Sequence, residues 1–136
     1  MLQVEKNNGE VVWKHEPKPT KAVEPLVARM VSSILSDNAA RTPAFGSASA
    51  LYFPERPVAA KTGTTNDYRD AWIIGYTPNI AVGVWAGNNN NTPMEKRVAG
   101  FIVAPIWHDF MERAFKTIPV EQFQAPEYQK PTKPVL

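Results

Sequence analysis

The sequence contains no cysteine, which excludes disulfides, thiolate metal sites and a cysteine nucleophile. Its two histidines, His15 and His108, are far apart and have no second ligand at metal-like spacing, so no metal site and no cofactor is expected. No apolar run approaches the ~18 residues that a bilayer-spanning helix requires. The opening Met1-Leu2-Gln3-Val4-Glu5 does not have the form of a signal peptide. Charge is also scarce. Fifteen Lys and Arg against 13 Asp and Glu leave a formal net charge of +2, without clusters. That balance and the lack of any base-reading motif argue against a nucleic-acid partner or an anionic membrane surface. What remains is a 136-residue chain that is 43% hydrophobic, enough for one modest domain or a piece of a larger one.

Residues 1–16 read as a hairpin. Leu2 and Val4 face Val11, Val12 and Trp13 across Asn7-Asn8-Gly9, where Asn-Gly suits the positive φ angles of a tight turn. Pro17 and Pro19 end it. A helix is expected over about 24–36, with Pro25 in its first turn. Leu26, Val27, Met30, Val31, Ile34 and Leu35 form one apolar stripe, read as core packing. Residues 37–57, punctuated by Pro43, Gly46, Pro54 and Pro57, read as loop.

Strands are expected over 58–64, 71–76 and 80–86, with a polar turn at 66–70. The short link Thr77-Pro78-Asn79 makes the last two an antiparallel hairpin. Both faces of that hairpin are apolar, so it should be covered on both sides. Gly75 and Gly83 are candidates for close approach by another element. A second amphipathic helix is expected over about 99–116, with Pro105 kinking it or marking its true start. From Thr117 onward, prolines 119, 126, 131 and 134 suggest an extended arm.

The chemistry-bearing stretch is Ala60-Lys61-Thr62-Gly63-Thr64-Thr65. On a strand, Lys61 and Gly63 share one face, and Thr62 and Thr64 the other. An ammonium beside hydroxyls suits a carboxylate, and Gly63 leaves room for a ligand main chain. A nucleotide-binding P-loop does not fit, because Ala60 stands where its glycine is required.

The run from Arg56 to Trp72, containing Lys61-Thr62-Gly63-Thr64-Thr65 and Asp70-Ala71-Trp72, resembles the bifunctional class A penicillin-binding proteins. So do Gly75-Tyr76-Thr77-Pro78, Gly83-Val84-Trp85-Ala86-Gly87-Asn88, Ala40-Arg41-Thr42-Pro43 and Ala104-Pro105-Ile106-Trp107. The resemblance covers residues 2–126, and Lys-Thr-Gly is a signature shared with the β-lactamases. It implies an α+β fold, an antiparallel sheet flanked by helices, as part of a serine transpeptidase or β-lactamase-like domain. It also implies acyl transfer on the D-Ala-D-Ala end of a peptidoglycan stem peptide, and acylation by β-lactams.

The family's roles fall on Lys61, Thr62 and Gly63 as the catalytic strand and on Thr62, Thr64 and Thr65 as substrate-binding residues. Lys61 would supply positive potential, the hydroxyls of Thr62 and Thr64 would hold the substrate carboxylate, and the N–H of Thr64 would be an oxyanion donor. A parent protein with a glycosyltransferase region, at the outer face of the bacterial cell membrane and anchored by an N-terminal segment, is implied as well.

The chain also departs from the family. None of Ser32, Ser33, Ser36, Ser47 and Ser49 has lysine three residues later, so the Ser-x-x-Lys nucleophile is missing. Ser36-Asp37-Asn38 spells the family's second motif but reads as a helix end. The chain is therefore expected to be a fragment and inactive alone, with residues 1–118 an incomplete transpeptidase domain and 119–136 a Pro-rich tail. Its partner would be the missing N-terminal part of that domain. The alternatives are a fragment of a class A β-lactamase and a non-catalytic binding or assembly module.

Overall fold

From Ala71 to Thr77 every second residue is buried, as expected for a strand with one face on a core. The structure, a computed structural model, describes residues 2–127. Strands β1 (Gln3–Glu5) and β2 (Val11–Lys14) form an N-terminal hairpin. Helices α1 (Pro25–Ser36) and α2 (Asn38–Phe45) follow. A sheet of order β3-β4-β5 is then built from Ala59–Thr64, Asp70–Thr77 and Ile80–Gly87, antiparallel throughout. Helices α3 (Ala99–Ile102) and α4 (Ala104–Ala114) close it. The fold is α+β, an antiparallel sheet flanked by helices.

Cross-strand pairing puts Ala60, Ile73, Gly75 and Val84 on the inner face. Val103, Ala104, Trp107 and Met111 of the α3–α4 segment pack there, all fully buried or nearly so. Trp107 lies directly over Gly75, and its Nε1 donates to the carbonyl of Val82 at 3.1 Å. Its ring meets Phe53 edge-on at 5.6 Å. Phe53 in turn stacks on His108 at 4.4 Å, whose Nδ1 bonds the carbonyl of Ala50 at 3.0 Å. His108 is thus a packing residue in the core wall.

The outer face is covered at one end only. There α1 packs on β3, Ala59 is fully buried, and Ser32 shares a 3.0 Å hydrogen bond with the Tyr76 hydroxyl. At the other end Trp72, Ile74 and Trp85 remain 44%, 55% and 45% exposed. The expected cover on both sides is therefore half realised among the described residues. The α1 stripe departs from its expected core role in the same way: none of α1 is fully buried, and Val27, Val31 and Ile34 look outward.

Four local expectations are corrected or sharpened. Residues 38–45 are helical where loop was expected. Asp37 caps α2, its carboxylate accepting the N–H of Ala40 at 3.0 Å, and Gly46 ends it at φ 85°. Pro43 inside α2 removes one ladder donor without breaking so short a helix. The expected second helix is two, α3 and α4, because Pro105 has no N–H to continue the ladder from α3 and instead opens α4 in its first turn.

The N-terminal turn has positive φ at Gly9 alone, with Gly9 N–H donating to Lys6 C=O at 2.9 Å, so Asn8 is not part of a doubly left-handed turn. The segment 119–127 lacks helix and strand, yet it is docked. Asn79 Nδ2 donates to the Pro119 carbonyl at 3.0 Å, and Phe123 meets Tyr76 edge-on at 5.6 Å. The remainder of the expected tail, 128–136, lies outside the described residues.

Arg41 joins these pieces. Its guanidinium donates to the carbonyls of Leu35, Ser36 and Val58, and its Nε to Asn38 Oδ1. Burial lowers its pKa and the neighbouring Asp37 carboxylate raises it again, so one arginine ties the α1–α2 corner to the start of β3.

Candidate active site

β3 is an edge strand among the described residues, paired with β4 on one side only. Its register places Lys61 opposite Ile74, Thr62 opposite Ile73, Gly63 opposite Trp72 and Thr64 opposite Ala71. Lys61 and Gly63 therefore sit on the outer face and Thr62 and Thr64 on the inner, as the sequence predicts.

Beyond Thr64, the Thr65 N–H donates to the Asp70 carbonyl at 3.1 Å. Antiparallel hydrogen bonding alternates along a strand. If Thr65 bonds toward β4, then the N–H of Thr64 and the polar main-chain groups of Thr62 point the other way, to the uncovered edge. The Lys61 ammonium lies at that edge too, 2.7 Å from the Thr62 carbonyl oxygen.

The edge borders a cleft of about 270 Å³ between β3 and the α1–α2 corner, lined by Lys61, Thr62, Ala60, Ile34, Leu35 and Phe45. Its walls are mostly apolar, with Lys61 and Thr62 on the β3 side and Asp37 and Arg41 on the helix corner as its polar groups. A larger hollow of about 440 Å³ between Phe53, Arg56 and Phe115 shares no residue with the Lys-Thr-Gly strand.

The five expected site residues are consecutive, but the structure separates their tasks. Lys61 and Thr62 line the cleft. Gly63 is exposed on the outer face, where an added Cβ would meet only Trp72 Cβ at 3.6 Å. The Thr64 hydroxyl accepts the N–H of Ala99, at the start of α3, at 2.9 Å. That bond fixes the hydroxyl and leaves its proton for another acceptor. Thr65 does not line the cleft and binds Asp70 through both its hydroxyl and its main chain.

Three groups around the strand were not singled out from sequence. Asp70 and Trp85 brace its end, and Arg41 braces its beginning. Asp70 and Trp85 lie inside the stretches quoted for the resemblance, but the pairing of β4 with β5 is what brings them together.

No family model matches the chain. The chain is 36% identical over 124 residues to penicillin-binding protein 1A of Aquifex aeolicus, which covers 88% of this chain and 16% of that protein. It is 42% identical over 71 residues to penicillin-binding protein 1A of Rickettsia typhi, covering 52% of this chain and 9% of that one. The relative from Neisseria flavescens, also a penicillin-binding protein 1A, is 32% identical over 108 residues, covering 79% of this chain and 13% of its own. The chain thus spans less than a fifth of the length of these curated relatives.

A crystal structure of penicillin-binding protein 1A from Haemophilus influenzae superposes with a TM-score of 0.61 at 18% identity, covering 93% of this chain and 24% of that one, and shows the same fold. From the identity carried across most of its length and the shared fold, the chain belongs to the class A penicillin-binding proteins, as a segment of the C-terminal part of their transpeptidase domain.

Proposed function

We propose that this segment supplies the substrate strand of a peptidoglycan D,D-transpeptidase that cross-links stem peptides and is acylated by penicillin. The observation that carries this reading is the polar edge of β3, where the Lys61 ammonium, Thr62 and the outward N–H of Thr64 meet beside a cleft.

In the reaction, a serine oxygen attacks the D-Ala-D-Ala carbonyl carbon. The C–N bond then breaks, and the terminal D-Ala leaves with the proton. The amine of a second stem displaces the serine and forms the cross-link. The serine comes from the preceding part of the domain, because these 136 residues hold no Ser-x-x-Lys.

This chain's residues hold and polarise. The N–H of Thr64 faces the developing oxyanion. The hydroxyls of Thr62 and Thr64 donate to the substrate carboxylate, and Lys61 provides positive potential for both charges. Gly63 lets the stem peptide lie against the strand, and Thr65 holds the strand's end.

The preceding part of the domain also covers the outer face at Trp72, Ile74 and Trp85. Residues 1–118 then complete one transpeptidase domain, and 119–136 form its tail. The parent protein carries glycosyltransferase activity and works at the outer face of the cell membrane. Among the described residues no helix is long and apolar enough to cross a membrane, so anchoring falls to another segment.

The test is acylation by a fluorescent penicillin. In the complete polypeptide, Lys61→Ala slows acylation on the order of 10²–10³-fold with an unchanged melting temperature. This chain alone takes no label. A wild-type rate for Lys61→Ala, or a stable adduct on a serine of this chain, overturns the reading.

A further inference from the structure

The turn that follows the Lys-Thr-Gly strand is held in an unfavourable backbone conformation. Asp67 and Tyr68 have φ of 59° and 55°, a left-handed region that residues with a Cβ rarely occupy, and here two are consecutive. Something must hold this turn, because Thr64 and Thr65 sit at its mouth.

The tip is tied to the following loop. Arg69 donates to the Asn91 carbonyl, and Met94 N–H donates to the Tyr68 carbonyl at 3.0 Å. At the base the Tyr68 N–H donates to the Thr65 carbonyl at 3.2 Å, and Asp70 makes the remaining ties. Its Oδ2 accepts the Thr65 hydroxyl at 3.1 Å, and its N–H donates to the same hydroxyl oxygen at 2.8 Å. Its carbonyl accepts the Thr65 N–H at 3.1 Å. Its second carboxylate oxygen, Oδ1, accepts the indole N–H of Trp85 at 2.9 Å.

One carboxylate thus links the ends of all three strands. The neighbouring glycine is part of the same arrangement. Gly87 pairs with Asp70, and a Cβ there would stand 2.7 Å from Trp85 Cζ2 and 3.0 Å from Asp70 Oδ1. Only glycine lets the indole fold back over that position to reach the carboxylate.

We propose that Asp70, gripped by Trp85 across Gly87, is the positioning residue that holds Thr65 and thereby aims the N–H of Thr64 at the site edge. This rests on the transpeptidase reading of that edge. Asp70 touches no substrate and acts through Thr65. A strand end released from it would fray, and misplacing a reacting geometry by about 1 Å costs on the order of 10²-fold in rate.

The test uses the complete transpeptidase polypeptide and a chromogenic β-lactam, with the limiting acylation rate separated from the affinity of the initial complex. Asp70→Ala lowers the limiting rate on the order of ten- to a hundred-fold while initial affinity changes far less. Asp70→Asn recovers part of the rate, because its amide oxygen still accepts the Trp85 indole. Trp85→Phe and Gly87→Ala lower the same rate constant. Thr65→Val added to Asp70→Ala lowers it little further, since both remove one linkage.

Lys61→Ala is measured alongside. If it acylates at the wild-type rate, the site reading fails and this inference fails with it. If Lys61→Ala is slow but folded Asp70→Ala keeps the wild-type limiting rate, this inference alone is overturned. A lowered melting temperature with an unchanged limiting rate likewise assigns Asp70 to stability and overturns it.

Discussion

Two glycines on neighbouring strands of the same sheet give opposite expectations under the same substitution. Gly75 is on the inner face, and an alanine Cβ there would stand 2.2 Å from Trp107 Cζ2 and 2.9 Å from Cη2. Trp107 has no exposed surface and no room to retreat. It would have to move by roughly 1 Å to restore van der Waals contact. The move overpacks the core, at about 1–3 kcal/mol. It also strains the bond from Trp107 Nε1 to the Val82 carbonyl, and an unmet buried N–H costs about 1–3 kcal/mol more. Gly75→Ala should therefore lose about 2–6 kcal/mol, against a typical domain stability of about 5–15 kcal/mol.

Gly63 lies on the outer face with ordinary extended backbone, and a Cβ there meets only Trp72 Cβ at 3.6 Å. Gly63→Ala should be neutral or gain about 0.5–1 kcal/mol, as alanine for glycine does in a strand. On the proposed site it nonetheless places a methyl where the ligand main chain runs, so acylation should fall while stability does not. Urea unfolding of both variants in the complete polypeptide, followed by circular dichroism, measures the first contrast, and penicillin acylation the second. An unchanged urea midpoint for Gly75→Ala would refute the packing argument. Equal loss of stability in both variants would refute the assignment of faces. Wild-type acylation by Gly63→Ala would refute the ligand path along β3.

Further outcomes follow from single contacts. Asp37→Ala removes the cap from α2 and should lower stability by about 1 kcal/mol in the same unfolding assay. Arg41→Met leaves the carbonyls of Leu35, Ser36 and Val58 without their shared donor, so a loss of about 1–3 kcal/mol is expected, with β3 amide exchange accelerated near Val58. Phe123→Ala removes the edge-on partner of Tyr76 and should cost about 0.5–1.5 kcal/mol beyond its lost burial, read as earlier proteolysis of 119–127. The chain alone, with Trp72, Ile74 and Trp85 exposed together, should bind a hydrophobic dye and self-associate in light scattering. Ile74→Ser with Trp72→Ser should reduce both.

Local rules were enough for several features. The short link Thr77-Pro78-Asn79 fixes the β4–β5 hairpin, because so few residues admit only an antiparallel return. The strand period places Lys61 and Gly63 opposite Thr62 and Thr64 before any contact is known. Pro25 and Pro105 mark helix starts, since proline's missing N–H costs nothing in a first turn.

Other features depend on neighbours distant in sequence, which no window along the chain contains. Whether an apolar stripe is core depends on what lies across from it. Val103, Trp107 and Met111 are sealed against the sheet, while Val27, Val31 and Ile34 of an equally regular stripe stay about half exposed or more. Residues 38–45 were hidden by Pro43, whose local cost is outweighed by the Asp37 cap and the Arg41 bonds. The bracing of the site by Asp70 and Trp85 is the clearest case. Fifteen positions separate them, and only the register of β4 against β5, with a glycine at position 87 to admit the indole, brings carboxylate and ring together at 2.9 Å.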